Sequence, residues 1–321
     1  MQQHTITSAI ASETMNGLSS MPKFLSSKYF YDDAGSAIFQ DIMKMPEYYL
    51  TRCEEEIFLQ HKEAIARGLG NGKKSFSLVE LGSGDGQKTK ILLRHLAGLN
   101  FRFQYIPIDI SQKANDDMKA MLNREIPEVK VYPRTGDYFK KLGELNGFAA
   151  DQKVILFLGS NIGNFSDAET DAFLRQLAGF TRSGDKLMIG FDLKKSPKII
   201  IDAYSDPHGH TRRFNLNLLE RLNRELNADF NIGQFEQHTE YNPETGEVKS
   251  FLMSTDDQHV HVGALEKTFH FKKWETVFVE RSRKYDIELI ARLAEDNGFR
   301  VKQNFTDSRN YFVDSLWERM A

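Results

Sequence analysis

Two rhythms of apolar and polar positions run along this chain. Between residues 59 and 194, short apolar runs alternate with segments of helical spacing. Ser75–Leu81 is largely apolar and runs into glycines, as a buried strand does. Gln87–Leu99 follows, with Ile91, Leu92, His95 and Leu96 at helical spacing. The alternation continues with a strand at Phe103–Ile110, a helix at Gln112–Glu125, a short strand at Val129–Tyr132 and apolar strands at Val154–Leu158 and Lys186–Asp192. Ser166 followed by Glu169 is a capping-box pattern opening a helix that runs to Gly179. This alternation predicts an α/β fold, a doubly wound and mostly parallel sheet covered on both faces.

After Lys194 the rhythm changes. Pro197–Leu226 is helical, with a break near Pro207-His208-Gly209, while Glu247–Ser254, His259–Val262 and Lys267–Phe271 alternate like antiparallel strands. A turn falls at Asn242-Pro243-Glu244-Thr245-Gly246. Asp286–Asn297 returns to helix, and Arg300–Phe305 and Tyr311–Leu316 read as strands. Near the start, a helix is expected from Arg52 to about Gly68, and residues 1–20 read as a loose polar arm. The expected division is an α/β domain of 59–194 and 285–321, with a second, inserted α+β domain of 1–58 and 195–284 for the substrate.

Composition narrows the function classes. The 321 residues are 40% hydrophobic and 27% charged with a net charge of −3, an ordinary globular balance without the basic excess of a nucleic-acid binder. A single cysteine, Cys53, excludes an intramolecular disulfide framework and a cysteine-rich zinc site, and no metal is expected. No apolar stretch approaches the ~18 residues of a membrane span. There is no signal-peptide pattern. A cytoplasmic monomer that acts on a small molecule, without nucleic-acid or membrane partners, is therefore expected.

The candidate chemistry begins at Glu80-Leu81-Gly82-Ser83-Gly84-Asp85-Gly86. Glycines between a strand and a helix let the backbone approach a ligand, and the helix start offers free N–H groups. The spacing Gly-x-Gly-x-Gly after an acidic residue departs from the Gly-x-Gly-x-x-Gly of nicotinamide sites. It suits S-adenosylmethionine (SAM), whose methionine part carries an ammonium and a carboxylate. Asp109, at the end of the next strand, is either an acceptor for ribose hydroxyls or a helix cap. Asp137 is either a partner of the adenine amino group, with Tyr138 beside the ring, or another cap. Lys88 follows the glycine turn closely enough to reach the cofactor carboxylate. Asn164, after the fourth strand, is a candidate for orienting an amine or carboxylate, or else a helix cap.

Five stretches carry a resemblance: Tyr29-Phe30-Tyr31-Asp32, Met45–Arg52, Val79–Gly84, Phe157-Leu158-Gly159-Ser160-Asn161-Ile162-Gly163-Asn164 and Phe214-Asn215-Leu216-Asn217. In order and spacing they resemble the histidine Nα-methyltransferases of ergothioneine biosynthesis, a family that also includes fungal enzymes acting on a tryptophan derivative. The resemblance implies the class I SAM-methyltransferase fold and Nα-methylation of L-histidine, up to the trimethylated betaine hercynine. It implies that Tyr48, Tyr204 and Asn164 hold the substrate carboxylate and amine, and that Tyr31, Phe39 and Gly159 close the pocket; Tyr31 and Asn164 are the candidates for steering the amine. It assigns the imidazole to Glu280 and Ser282, which point to one face if their segment is extended. The alternative for Glu280 is a surface ion pair with Arg281, Arg283 or Lys284. Ser250–Met253 is expected to supply an apolar wall.

Overall fold

The computed structural model describes residues 2–70, 75–99, 101–145 and 152–321. They form two compact units, Leu50–Lys194 with Arg283–Ala321, and Met1–Tyr49 with Lys195–Ser282.

The first unit is built on one sheet. Its strands lie in the order Phe299–Thr306, Phe312–Arg319, Lys186–Asp192, Gln152–Phe157, Ser75–Leu81, Arg102–Asp109 and Lys130–Val131, with the short Arg134–Thr135 also pairing with Arg102–Asp109. The five strands from Lys186–Asp192 to Lys130–Val131 are parallel. Phe312–Arg319 then pairs antiparallel with Lys186–Asp192, and Phe299–Thr306 antiparallel with Phe312–Arg319. The apolar runs read in the sequence are these strands: Val79, Leu81, Ile108, Ile155, Ile189 and Phe191 are fully buried. Each such side chain contributes ~1.5–3 kcal/mol by leaving water. The strand order reverses between Ser75–Leu81 and Gln152–Phe157, and such a switch point opens a crevice at the carboxyl ends of the strands.

The helix expected from Arg52 runs from Leu50 to Gly70. Its buried stripe includes Leu50, Cys53, Ile57, Phe58 and Ile65, and it packs on the helix Gln87–Gly98 and the strand Phe312–Arg319. Residues 50–58 therefore belong to the α/β unit, and the boundary falls after Tyr49 rather than after residue 58.

The second unit has a four-stranded sheet ordered Lys23–Phe24, Thr276–Arg283, Glu247–Ser254, Phe235–Asn242, and a separate antiparallel ribbon of Gln258–Val262 and Lys267–Phe271. The Asn242 side chain caps the expected hairpin turn by accepting the amides of Glu244 at 2.9 Å and Thr245 at 3.3 Å. The expected break in 197–226 separates Pro197–Tyr204 from His210–Leu226. The loose arm is overturned: Gln2–Ser19 is a helix, and its Ile10, Thr14 and Leu18 are buried, Ile10 and Leu18 against the unit's apolar core. These positions recur at helical spacing, a weak stripe among polar residues that only a tertiary partner makes useful. Met1 lies outside the described residues.

One node ties two of the motif stretches together. Asp32 caps the helix Asp33–Lys44 by accepting the Gly35 amide at 2.7 Å, accepts Asn217 Nδ2 at 2.9 Å, and pairs with Arg224 at 2.5 Å. Gly35 is obligatory here, because a Cβ would lie 1.8 Å from the Phe30 carbonyl oxygen. Burial opposes ionisation of Asp32, but the Gly35, Asn217 and Arg224 donors outweigh it and hold its carboxyl below the usual range. The folded value is thus lower than the unfolded one. Its stabilisation is present above the unfolded value of about 3.9 and is lost as pH falls through the folded value. Asp32→Ala is expected to cost ~1–2 kcal/mol at neutral pH in urea unfolding, from the lost cap and ion pair. The gap from the unaltered protein should close in acid.

Candidate active site

The glycine turn lies at the carboxyl end of Ser75–Leu81. Gly82, Gly84 and Gly86 have φ of 70°, 53° and 67°, a region that side chains disfavour. A Cβ at Gly82 would lie 2.7 Å from the Tyr138 hydroxyl, and one at Gly86 2.8 Å from the Met118 sulfur. A Cβ at Gly84 would meet only open space, so a ligand can approach the backbone there. Gly86 opens the helix Gln87–Gly98 without a side chain of its own to cap it, while Asp85 Oδ1 accepts the Gln87 amide at 3.1 Å. Ser83 Oγ, in the same turn, is buried without a hydrogen-bond partner among the described residues. An orphaned hydroxyl and an open backbone at the start of a helix fit the methionine end of SAM.

Asp109 braces this turn. Its Oδ2 accepts the Gly84 amide at 3.1 Å and its Oδ1 the Ser111 amide at 2.9 Å. The following helix is capped by Ser111, so Asp109 is not its cap. Asp137 does cap the helix Tyr138–Glu144, its Oδ1 accepting the amides of Phe139 and Lys140 at 3.1 and 3.0 Å. Burial, then the charges of Asp109 and Asp137, push the Tyr138 hydroxyl up to about 12. Glu80 points into the unit, where Tyr105 and Thr89 donate to it. Burial raises it to about 7 against those donors.

The loop after Gln152–Phe157 holds Gly159 and Ser160 in the left-handed region. Ser160 Oγ accepts the Asp192 amide at 3.0 Å. Gly163 lacks a side chain because a Cβ would lie 2.8 Å from the Arg283 carbonyl oxygen. Asn164 ends the short 3-10 helix Asn161–Asn164 and is exposed. The next helix is capped by Ser166 and Glu169 as a full capping box, so the capping alternative for Asn164 does not hold.

Sequence reading missed a buried charged group beneath this loop. Glu54 Oε1 accepts the Gly159 amide at 2.7 Å, and its Oε2 pairs with Lys88. Asp314 is fully buried beside them, and burial followed by the Glu54 charge pushes its carboxyl well above the usual range. Two signals were legible: Glu54 lies on the apolar stripe of its helix, and Asp314 interrupts the apolar strand Phe312–Trp317.

The other unit gathers Tyr31, Phe39, Tyr48, Tyr204 and Phe214 into an aromatic cluster. Ring centroids are 5.5 Å apart for Tyr31 and Phe39, 6.1 Å for Phe39 and Tyr48, and 6.5 Å for Tyr48 and Tyr204. Phe214 stands 5.4 Å from Tyr31 and 5.7 Å from Phe39; its motif was visible, its place here was not. Tyr204 and Ser282 share a hydrogen bond of 2.7 Å. Glu280 and Ser282 both lie on the strand Thr276–Arg283. Arg281 pairs with Glu247 at 2.8 Å, Lys284 with Asp192 at 2.9 Å and Arg283 with Asp167, so these cations are engaged by other carboxylates. Removal from water, then the facing Glu280 carboxylate, holds the Tyr31 hydroxyl protonated well above the ordinary value, although the residue keeps 47% of its surface exposed. Ser250 and Leu252 turn to the buried side of Glu247–Ser254.

Residues 10–319 match the family described as histidine-specific, SAM-dependent methyltransferases. The histidine N-alpha-methyltransferase of Mycobacterium tuberculosis (strain CDC 1551 / Oshkosh) is 34% identical over 96% of this chain and 94% of its own length. The enzyme of that name from Mycolicibacterium smegmatis is 35% identical over the same shares. An L-tryptophan methyltransferase of Psilocybe serbica is 28% identical over 81% of this chain and 78% of its own length.

Gly82→Ala is expected to weaken binding of S-adenosylhomocysteine, the demethylated product of the cofactor, by about tenfold or more, since left-handed strain and the Tyr138 clash together cost ~1–3 kcal/mol. Calorimetric titration checks this.

Proposed function

This chain belongs to the histidine-specific, SAM-dependent methyltransferase family, and we propose that it methylates the α-amino nitrogen of L-histidine, through to the trimethylated betaine hercynine. The observation that carries the acceptor is the pair Glu280 and Ser282, on one strand of a unit whose aromatic cluster includes Tyr204, the partner of Ser282. An imidazole offers one N–H donor and one bare nitrogen, which suit a carboxylate and a hydroxyl. The names of the two mycobacterial relatives agree with this reading. The Psilocybe relative and the aromatic cluster favour a second reading, an indole-bearing acceptor. Indole has one N–H and no acceptor nitrogen, so it would use only part of the Glu280–Ser282 pair.

The cofactor, when bound, supplies a methyl group on a sulfonium, already a good leaving group. The residues of the chain then have little covalent work to do: they orient the acceptor and exclude water. Gly82, Gly84, Lys88, Asp109, Asp137 and Tyr138 are assigned to the cofactor. Tyr48, Tyr204 and Asn164 are assigned to the acceptor carboxylate and amine, with Phe39 and Gly159 closing the pocket. Tyr31 stays protonated, so it acts as a hydrogen-bond donor or acceptor that steers the amine and not as a base. The amine must be neutral to attack; each transfer forms one N–C bond, breaks one S–C bond and releases one proton to water.

Glu280→Ala is expected to raise the Kd for histidine by about tenfold or more, the usual effect of losing a charge-assisted hydrogen bond. Binding of S-adenosylhomocysteine should change by less than about twofold, since Glu280 is not among the residues assigned to the cofactor. Calorimetry measures both. Mass analysis of reactions offered histidine and tryptophan in competition reads acceptor and methyl count; product from tryptophan alone would overturn the histidine reading.

A further inference from the structure

Glu54 and Asp314 are not used by the chemistry above, and their geometry is specific. Glu54 stands on the inward stripe of the helix Leu50–Gly70 and is fully buried. The space it occupies is made by a missing side chain, since a Cβ at Gly190 would lie 2.5 Å from Glu54 Oε1. Gly190 is also the register partner of Asp314, so the two carboxyl groups meet over one point of the sheet. Both oxygens of Asp314 are buried away from other donors, and its carboxyl shares a hydrogen bond with that of Glu54. Two carboxylates this close do not both ionise in a dry interior, and Asp314 is the one pushed toward the protonated form. The two oxygens of Glu54 have separate duties: one accepts the Gly159 amide at 2.7 Å, the other holds the Lys88 ammonium. Lys88 lies in the first turn after the glycine loop, and Gly159 opens the loop that ends at Asn164. Lys88 Nζ would stand 3.8 Å from a Cβ on Gly159, so the two loops meet there.

We propose that Glu54 is a positioning residue for methyl transfer. Its single carboxylate clamps the helix start after the glycine turn to the Gly159 loop and aims Lys88 at the carboxylate of the cofactor. This rests on the assignment of Lys88 to the cofactor. The clamp explains a charged residue on an otherwise apolar helix stripe, where an unpaired carboxylate would be strongly destabilising.

The test is calorimetry of S-adenosylhomocysteine binding to the unaltered protein, Glu54→Gln, Glu54→Ala, Lys88→Met and the double variant Glu54→Gln/Lys88→Met, each with its melting temperature. Glu54→Gln and Lys88→Met are each expected to weaken binding about tenfold, and the double variant no more than the worse single one, because both remove the same contact. Glu54→Gln keeps an acceptor for the Gly159 amide, so it should bind more tightly than Glu54→Ala at a similar melting temperature. Binding by Glu54→Gln within about twofold of the unaltered protein, or losses that add in the double variant, would overturn the proposal. If the single Glu54 variants fail to fold, the double variant carries the test, since it leaves no buried charge alone. Matching Lys88→Met then supports the clamp, and matching the unaltered protein overturns it. No binding by the unaltered protein would overturn the cofactor assignments as well, which distinguishes that failure from this one.

Discussion

Within five residues, from Gly82 to Gly86, the backbone enters the left-handed region three times, and the carboxyl end of the sheet is arranged around that demand. Tyr138 can bring its hydroxyl against Gly82 only because no Cβ is there. Asp109 turns back to hold the Gly84 amide, which couples the end of its own strand to the turn. The helix that follows starts on Gly86, which has no side chain to cap it, and its first amide is held by Asp85 Oδ1. A side chain at any of these glycines adds strain, and at Gly82 or Gly86 it also displaces a packed neighbour. The shape of this turn is therefore a backbone property first and a side-chain property second.

The other unit solves a different problem, how to hold several rings at fixed distances on separate helices and loops. It does so with polar ties outside the cluster. Asp32 follows Tyr31 directly, and its bonds to Gly35, Asn217 and Arg224 fix the segment that carries that ring to the helix that carries Phe214. Tyr204 is fixed at both ends: its hydroxyl meets Ser282, and its carbonyl accepts Gln237 Nε2 at 2.9 Å. Two motif stretches almost two hundred positions apart in sequence are, in the fold, the two sides of one contact. Their residue types follow from that contact: an acid to cap, an amide to bridge, a glycine where a carbonyl passes.

Much of this was legible in the chain. The α/β unit announced itself because its parallel strands are buried on both faces and so read as continuous apolar runs. The capping box at Ser166–Glu169 and the turn at Asn242–Gly246 were visible because they are local, made within a few residues. Other features were not. The helix Gln2–Ser19 has too weak a stripe to declare itself. Glu54-Glu55-Glu56 looks like a solvated charge run, and only the stripe spacing hints that Glu54 faces inward while Glu55 and Glu56 do not.

By itself, the sequence determined the alternation of strands and helices, the glycine turn with its acidic neighbours, and the motif set that marks the family. These depend on periodicity and on residue type at short spacing, which the linear order preserves. Tertiary structure alone decided which groups of the chain each polar residue holds. Ser111, not Asp109, caps its helix, which frees Asp109 to brace the turn. Asp137 does cap. The cations around Glu280 are drawn to Glu247, Asp167 and Asp192. Glu54 meets Lys88, Gly159 and Asp314, each from a different part of the chain. Such choices turn on distances between residues far apart in sequence and on burial, because a carboxylate takes the partner that the packed interior puts within reach.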